Sequence, residues 1–355
     1  RSVTRRPPQD PTHARTPCEG ATPHPAVRPR LHATHSARRA RREVGRKVRA
    51  WAGAAMGSLV RPLPRGQYDV VGDVHGEYGA LLSLLEALGY DGNGDHPQGR
   101  TLVFVGDLID RGPDSVAVVR LVRRLVERRR AFCVLGNHEV NVLRGKQNEG
   151  SKWLYGRVEV MSGAQGRTSF QTLADAETKE EILAFLSTLP LVLEGPDLRV
   201  VHAAWDDWAV DTLRAFSSVT RAHDEFRARC EQRASALQDD DERELILQNE
   251  NPVNVIASGF EERAEKQFYA GGKWRTLQRC RWWQRYPAAE PLVVFGHYWR
   301  ETKNSADPNG EAVFDGVEPF AALPTMAEGA SNAMCVDYSV GRRYKERAAN
   351  RKTGS

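Results

Sequence analysis

From residue 68 onward, short apolar runs alternate with longer segments in which apolar residues recur every three or four positions. The runs YDVV, TLVFV and AFCVL are typical of short, buried strands, and the segments after the first two have the periodicity of helices. Alternation of this kind favours an α/β fold in which at least some of the strands are parallel.

Two of the predicted helices have recognisable ends. The segment YGALLSLLEALGY stops at Gly89, a residue well placed to end a helix. Its apolar positions share one predicted helical face: Leu81, Leu82, Leu85 and Leu88. The segment GPDSVAVVRLVRRLVERRR has Pro113 near its first turn and a basic last turn, which suits the helix dipole.

The rest of the chain adds strands and two helical insertions. Residues 141–190 are mostly helical in pattern and more polar, with TKEEILAFLSTLP the clearest helix, and residues 206–250 form a second helical stretch. The segment LVLEGPDLRVVHAAW predicts two strands joined by a turn, and PLVVFGHYW and NAMCVDYSVG predict two more. We therefore expect residues 56–355 to form a single domain.

The net charge of +5 conceals two different parts of the chain. Residues 1–55 contain 12 Arg and 1 Lys against 1 Asp and 2 Glu, a net +10, so the remaining 300 residues carry a net −5. The first stretch has few large apolar residues to bury, which predicts a disordered basic tail. One interpretation is a nucleic-acid arm or a transit segment. We favour the other, in which the tail is functionless or is a start-site artefact with Met56 as the true start.

The composition predicts a soluble protein from a reducing compartment. A hydrophobic content of 40% is ample for a core, and no apolar run reaches the roughly 18 residues of a membrane span. The 5 cysteines are widely spaced and include no CxxC pair. We therefore expect reduced thiols and a cytoplasmic location.

Polar residues follow the apolar strands at the points where the strands end. Three strands run into the phrases GDVHG, GDLIDRG and GNHE, and two later strands end in VVHAAW and VVFGHYW. These phrases bring potential ligands to one edge of the predicted sheets: Asp73, His75, Asp107, Asn137, His202 and His297. Functional sites of α/β folds are built at strand ends of this kind.

The types of these side chains indicate a metal centre. Carboxylates, imidazoles and an amide oxygen, without thiolates, suit Mn²⁺, Fe²⁺ or Zn²⁺. These groups exceed the needs of one open catalytic ion, whereas two ions about 3.5–4 Å apart that share a carboxylate use them all. Such a pair lowers the pKa of a bound water and holds both oxygens of an in-line displacement. We therefore expect two divalent metal ions, with Mn²⁺ the first choice.

Three further residues in the same phrases fit phosphoryl transfer. Arg111 follows Asp110, and a guanidinium beside metal ions binds non-bridging phosphate oxygens. His138 follows Asn137 and is placed to protonate the leaving oxygen, while Asp110 orients its imidazole. Each signal is weak alone, since a single histidine at a strand end is more often a hydrogen-bonded structural residue than a ligand.

Together, GDVHG, GDLIDRG and GNHE resemble the signature of the phosphoprotein phosphatase branch of the calcineurin-like metallophosphoesterases. The resemblance covers residues 68–340, and the branch includes serine/threonine phosphatases and symmetrical diadenosine tetraphosphate hydrolases. It implies the metallophosphoesterase fold, in which two mixed β-sheets pack as a sandwich flanked by helices. It also suggests that residues 141–190 form a helical cap that shapes the substrate cleft.

The resemblance implies a role for each candidate residue. The ligands of one metal would be Asp73, His75 and Asp107, and those of the other Asp107, Asn137, His202 and His297. Asp107 is thus the implied bridge. His138 with Asp110 resembles the acid pair of the family, and Arg111 its phosphate-binding arginine. A second phosphate-binding arginine is usual, and Arg275 and Arg300 are the candidates.

The stretch GGKWRTLQRCRWWQRY bears on the substrate. Its mixture of aromatic and basic residues would suit a nucleobase stacked beside a phosphate site. We favour the alternative, in which Trp282 and Trp283 pack in the core.

The leading functional hypothesis is a two-metal phosphoesterase that hydrolyses phosphomonoesters, including phosphoserine and phosphothreonine in proteins, by attack of a metal-bound hydroxide. Symmetrical hydrolysis of dinucleoside polyphosphates is the alternative within the same chemistry, since the two activities differ only in the walls of the cleft. A hypothesis of another class is a nucleic-acid or partner-binding module that acts through residues 1–55. We expect a phosphorylated protein or small phosphate ester as the partner, rather than nucleic acid or a membrane, and leave the oligomeric state open.

Overall fold

The computed structural model describes residues 57–148, 150–158, 171–270, 273–299, 332–338 and 340–343. The predicted basic tail of residues 1–55 and the candidate Arg300 lie outside the described residues, so what was predicted for them stays a prediction.

Apart from the first strand and a polar hairpin, the described strands match the apolar runs of the sequence. In chain order they are β1 (Val60–Pro62), β2 (Tyr68–Val71), β3 (Thr101–Phe104), β4 (Ala131–Cys133), β5 (Val192–Glu194), β6 (Leu198–Val201), β7 (Glu261–Ala270), β8 (Lys273–Arg279), β9 (Leu292–Phe295) and β10 (Ala333–Cys335). All strands predicted from the apolar runs are present. The hairpin of β7 and β8 was not predicted, because its strands are mostly polar and exposed.

The described α-helices follow the predicted periodic segments. In chain order they are α1 (Tyr78–Leu88), α2 (Ser115–Glu127), α3 (Asn137–Leu143), α4 (Ala176–Leu186), α5 (Asp207–Leu213), α6 (Val219–Ala234), α7 (Asp240–Asn249) and α8 (Pro252–Ser258). Short 3₁₀ helices cover Lys152–Tyr155, Trp282–Arg285 and Val340–Arg342. Gly89 ends α1 in the left-handed conformation with a φ of 89°, as its position in the sequence predicted.

Two larger sheets carry the fold. One has the spatial order β1-β5-β6-β9-β10, with β5 and β6 antiparallel and its other neighbours parallel. The other has the order β2-β3-β4 and is parallel, whereas the family resemblance implied that both sheets are mixed. In this second sheet, α1 lies between β2 and β3 and α2 lies between β3 and β4, as is usual for connections between parallel strands.

The two sheets pack face to face. Strand β3 alternates, so that Val103 joins a small apolar cluster with Leu193 of β5 and Val200 of β6. The other face of β3 presents Leu102 and Phe104 to the larger core, which includes residues of helix α2. This sandwich with outer helices confirms the predicted architecture and brings the ends of β2, β3, β4, β6 and β9 to one edge.

One predicted core position is wrong. Leu81 and Leu85 are buried, but Leu82 is 42% exposed. Residues four apart share a helical face, whereas the next residue is rotated by about 100°. The buried face of α1 therefore follows Leu81 and Leu85, and Leu82 lies at its solvent edge.

The described part of the predicted cap includes a helix that flanks the sandwich. Helix α4 buries Ile182 and Leu186 and pairs with α2, where Glu181 Oε2 lies 2.9 Å from Arg120 Nη2. Residues 159–170 lie outside the described residues, so a cap over the cleft stays a prediction.

The structure bears on the predictions about membrane spans and cysteines. In the described ranges, no helix combines the length and apolar character that crossing a membrane requires. Four cysteines, Cys133, Cys230, Cys280 and Cys335, are buried and form no disulfide within the described part of the chain.

Candidate metal centre

The polar residues that follow the strands meet at one edge of the sandwich. The loops after β2, β3 and β4 approach those after β6 and β9, so both large sheets contribute. The residues that converge are the six predicted ligands: Asp73, His75, Asp107, Asn137, His202 and His297. Five of them are buried, and Asn137 is half-buried.

Asp107 lies at the centre of this cluster. Its Oδ2 is 3.6 Å from Nε2 of His75, 3.4 Å from Nε2 of His202 and 3.9 Å from Nε2 of His138. Its Oδ1 accepts a hydrogen bond from the backbone N–H of His138 at 3.0 Å. A carboxylate that faces imidazoles from both sheets has the position that a bridging ligand needs.

A second group surrounds the side-chain oxygen of Asn137. This oxygen is 3.1 Å from Nε2 of His202 and 2.9 Å from Nδ1 of His297. Nδ1 of His202 donates to the carbonyl of Val105 at 2.8 Å, so in the neutral ring Nε2 turns its lone pair toward Asn137 and Asp107. When they carry lone pairs, atoms that face one another in this way suit a bound cation.

The residues present fit a pair of divalent ions. Asp107 belongs to two compact groups of possible ligand atoms, one with His75 and His138 and the other with His202 and His297. Nε2 of His297 is buried without a hydrogen-bond partner among the described residues. The first group includes His138, predicted to be an acid, whereas Asp73 stands further out, with its Oδ2 3.9 Å from Nε2 of His75.

The charges in the cluster are strongly coupled. Burial alone would raise the pKa of Asp107, but the imidazoles of His202 and His138 outweigh it and hold this pKa well below its usual range. Burial lowers the pKa of His202, but Asp107 and Asp73 outweigh burial and raise that pKa to about 10. Burial and the nearby Asp337 raise the pKa of Asp73 well above its usual range. Asp107 is therefore the carboxylate that stays ionised.

The backbone is strained where the site residues lie. Left-handed φ values between 45° and 72° occur at five predicted site residues: His75, Asp107, Asp110, Arg111 and His297. Non-glycine residues rarely adopt this conformation, which costs of order 1–3 kcal/mol at each position. Such strain gathers at functional sites, where the surrounding contacts hold it in place.

Two glycines let strand ends approach the carboxylates closely. A Cβ at Gly136 would collide with the side chain of Asp107, and one at Gly296 would collide with that of Asp73. The close approach of these carboxylates therefore explains why glycine occupies these positions in GNHE and GHYW.

Glu139 is a site residue that the sequence analysis missed. Its Oε2 accepts hydrogen bonds from the backbone N–H groups of Asp107 and Gly136, both at 2.8 Å. Its Oε1 accepts from Leu108 at 2.9 Å and from Ile109 at 3.3 Å. Its presence in GNHE was the available signal, but its partners in the turn after β3 lie about 30 residues away in the chain and could not be inferred.

The predicted acid pair is assembled and has a third member. Nδ1 of His138 lies 2.6 Å from Oδ2 of Asp110, which leaves Nε2 to face the cluster. The other oxygen of Asp110 accepts a hydrogen bond from the indole N–H of Trp153 at 2.8 Å. Burial lowers the pKa of His138, but Asp107 and Asp110 outweigh it and raise this pKa overall. Trp153 was not predicted, because no local motif connects it to Asp110.

Two guanidinium groups border the site. Nη1 of Arg111 lies 2.8 Å from Nε2 of His75, and its Nη2 lies 3.3 Å from Nε2 of His138, so Arg111 occupies the predicted place. The second group belongs to Arg279 at the end of β8, whose Nη1 donates to the carbonyl of His297 at 3.2 Å. Of the two candidates named from the sequence, Arg275 lies four residues earlier on the same strand, and Arg300 lies outside the described residues.

The aromatic-basic stretch divides between core and surface. Trp282 and Trp283 belong to the hydrophobic core, and the indole N–H of Trp282 donates to the carbonyl of Ala203 at 3.0 Å. The preferred prediction, that these two residues pack in the core, is therefore confirmed. Trp274, on the hairpin, is 68% exposed.

Comparison with known proteins gives a family match and several relatives. Residues 67–300 match the family model for the calcineurin-like phosphoesterases. The asymmetrical bis(5'-nucleosyl)-tetraphosphatase PrpE of Halalkalibacterium halodurans is 38% identical over 147 residues, or 39% of this chain and 56% of that protein. The symmetrical bis(5'-nucleosyl)-tetraphosphatase of Aeromonas salmonicida is 34% identical over 142 residues, or 38% of this chain and 45% of that protein.

These matches are partial. The chain spans about half the length of the curated relatives it matches. Among solved structures, a cold-active protein-tyrosine phosphatase of a Shewanella species is 19% identical, with 79% of this chain and 75% of that chain covered and a TM-score of 0.40. A TM-score this low supports no assignment of function.

Proposed function

The chain belongs to the calcineurin-like phosphoesterase family, and from that premise we propose that it hydrolyses the polyphosphate chain of dinucleoside tetraphosphates. The observation that carries the proposal is that relatives of both cleavage types, asymmetrical and symmetrical, are tetraphosphatases. They favour the dinucleotide alternative over the leading hypothesis of a phosphoprotein phosphatase. The coarser statement, a metal-dependent hydrolase of phosphate esters, follows from the family.

The family uses a dinuclear divalent metal centre, and we assign the ligands from the predicted set. Asp73, His75 and Asp107 would hold one ion, and Asp107, Asn137, His202 and His297 the other. When bound, the two ions activate a water and neutralise charge on the phosphate. We propose Mn²⁺ as the ion, with Fe²⁺ or Zn²⁺ as alternatives that the same donors accept.

The remaining residues position the substrate and move a proton. The guanidinium of Arg111 stands among the imidazoles, and that of Arg279 lies beside His297, so two cations can hold non-bridging phosphate oxygens. His138 can deliver a proton from Nε2 to the leaving oxygen, because Asp110 holds its Nδ1. The cytoplasm, a reducing compartment, suits the buried cysteines.

The test is product analysis. Wild-type protein is incubated with diadenosine tetraphosphate and Mn²⁺, and the products are separated by chromatography. We expect two ADP for symmetrical cleavage, or ATP and AMP for asymmetrical cleavage, with turnover lost in Asp107→Asn. The matched control is Asp197→Asn, an exposed carboxylate that pairs with Arg65 and should leave turnover unchanged.

Two comparisons make the test decisive. A phosphoserine peptide that is hydrolysed with a higher kcat/KM than diadenosine tetraphosphate would contradict the proposal and restore the phosphoprotein hypothesis. Removal of residues 1–55 should leave hydrolysis intact. A loss of function in that deletion, together with a fully functional Asp107→Asn, would favour the binding-module hypothesis.

A further inference from the structure

A polar pocket opens directly beside the candidate metal centre. It has a volume of about 260 Å³ and lies between helix α3 and the helices α6, α7 and α8. Asn137, one of the six candidate ligands, forms part of its wall. The pocket therefore borders the candidate centre through Asn137.

One face of helix α3 and its extension forms the wall that leads away from the centre. Asn137, Val140, Asn141 and Arg144 all line the pocket. Their spacing of i, i+3, i+4 and i+7 places them on one helical face. Seven residues of helix rise about 10 Å, so Arg144 stands well beyond the reach of a single phosphate bound at the ions.

Three cations converge on this pocket. Arg144 and Lys146 lie two residues apart at the end of helix α3, and Arg227 belongs to helix α6. Nε of Arg144 is buried without a hydrogen-bond partner in the described part of the chain. Arg227 pairs with Glu231 on its own helix through Nε, at 2.7 Å, which leaves its terminal nitrogens for another partner.

The three groups influence one another. Burial lowers the pKa of Lys146, and the positive charges of Arg144 and Arg227 lower it further. The pKa of Arg144 is lowered by burial and by Arg227, against the opposing effect of Asp224. Cations that repel one another in a partly dehydrated pocket are stabilised by a bound anion.

We propose that this pocket, which we call the α3–α6 pocket, binds the phosphate groups of the substrate that lie beyond the attacked phosphate. The inference rests on the proposed function and names the feature that selects a polyphosphate over a phosphomonoester. A monoester ends at the metal centre, whereas a polyphosphate chain continues along the face of α3 toward Arg144, Lys146 and Arg227.

The remaining wall of the pocket carries hydrogen-bond acceptors, which suit the sugar and base of a nucleotide. Glu244, Gln248 and Asn254 also line the pocket and offer carboxylate and amide groups. Nε2 of Gln248 donates to the carbonyl of Gly259 at 2.7 Å, and Nδ2 of Asn254 donates to that of Leu247 at 2.9 Å. The oxygens of these side chains therefore remain to accept hydrogen bonds from hydroxyl and amino groups. A pocket with cations on one side and such acceptors on another suits a phosphorylated sugar better than a bare inorganic ion.

The experiment measures inhibition of p-nitrophenyl phosphate hydrolysis by tripolyphosphate and by orthophosphate. Wild type is compared with Arg144→Gln, Lys146→Gln and Arg227→Gln at one fixed excess of Mn²⁺. The matched control is Arg229→Gln, because Arg229 lies on the same helix and also pairs with a glutamate four residues away, Glu225, but does not line the pocket. Any chelation of Mn²⁺ by tripolyphosphate affects all five proteins equally.

We expect wild type to be inhibited at least tenfold more strongly by tripolyphosphate than by orthophosphate. The three pocket variants should lose most of this preference, and Arg229→Gln should keep it. Lys146→Gln, at an exposed position, remains informative if Arg144→Gln fails to fold.

An unchanged preference in the variants, or an equal loss in Arg229→Gln, would overturn the inference. This assay does not use a dinucleotide, so its result does not depend on whether diadenosine tetraphosphate is hydrolysed. A failure to hydrolyse diadenosine tetraphosphate would refute the proposed function, whereas phosphate binding in the α3–α6 pocket is decided by the inhibition data.

Discussion

The carboxylate of Glu139 holds the backbone of Asp107: its Oε2 accepts the N–H of Asp107 at 2.8 Å. Asp107 has a left-handed φ of 47°, a conformation that a non-glycine residue keeps only when its surroundings enforce it. Glu139 also binds the next two N–H groups of the turn, so one buried side chain sets the direction in which Asp107 presents its oxygens.

Replacement of Glu139 by Ala should weaken both the fold and metal binding. Each buried N–H group left without an acceptor costs about 1–3 kcal/mol, and loss of a group that orients a ligand typically weakens metal affinity by about 10–100-fold. Urea unfolding of the metal-free protein and titration with Mn²⁺ measure the two effects. Glu86→Ala, at an exposed position of helix α1, is the control; an equal effect there would refute the role of Glu139.

Asp110→Asn should move the basic limb of the pH–rate profile to lower pH. A proton donor must be protonated, so activity falls as pH rises through the pKa of His138. Asp110 helps to raise that pKa, and its removal lowers the pH at which activity is lost. We expect kcat to fall by roughly 10²-fold for phenyl phosphate, and much less for p-nitrophenyl phosphate, whose leaving oxygen is less basic.

Trp153→Phe separates the orientation of Asp110 from its charge. The variant keeps an aromatic ring in the core but removes the donor to Oδ1 of Asp110, at a cost of about 1 kcal/mol in unfolding free energy. The position of the basic limb should remain close to that of wild type, while kcat falls less than in Asp110→Asn. A shift of the limb as large as that in Asp110→Asn would contradict a purely orienting role.

Leucines at two positions of helix α1 should respond differently to truncation. Leu85 is buried, and Leu85→Ala should lower the free energy of unfolding by about 2–5 kcal/mol. Leu82 is 42% exposed, so Leu82→Ala should change it by no more than about 0.5 kcal/mol. Denaturant unfolding of both variants tests which face of the helix is buried. Equal losses of unfolding free energy would support the face predicted from sequence, which included Leu82.

His223 should make the fold sensitive to mild acid. Burial and the charge of Arg144 lower the pKa of His223 from 6.5 to about 4. Between those values the unfolded chain binds a proton that the native protein does not, so stability falls as pH decreases from 6.5 toward 4. The loss of unfolding free energy between pH 7.5 and pH 5 should be about 1–2 kcal/mol smaller in His223→Gln than in wild type. Equal losses would show that His223 does not contribute.

The sequence was sufficient to predict which polar residues come together, where those residues lie directly after apolar strands. Asp73, Asp107 and His297 each follow a run that can only be a buried strand, and parallel strands bring their ends to one edge. The sandwich of two packed sheets was implied by the family resemblance, whereas the alternation alone predicted an α/β fold with some parallel strands. The spatial order of strands in the five-stranded sheet was not predicted, because it depends on packing between distant segments.

The residues that support the site were not predicted, because their contacts also join distant segments of the chain. Trp153 reaches Asp110 across 43 positions of the chain, and Arg279 comes from a polar hairpin with no apolar pattern. The cations of the α3–α6 pocket are scattered over two helices and a loop. In the sequence, each of them looks like an ordinary surface residue. Only the folded structure shows that they lie close together.

The backbone N–H of His297 donates to Oδ2 of Asp73 at 3.2 Å, across a separation of 224 residues. Contacts this distant in sequence form late and slow the folding of a domain. During synthesis from the N-terminus, a ribosome delivers Asp73, His75, Asp107 and Asn137 long before His297 emerges. The nascent chain therefore carries only some of the candidate ligands until β9 has docked, and the docking of that strand sets the earliest time at which all six candidates can come together.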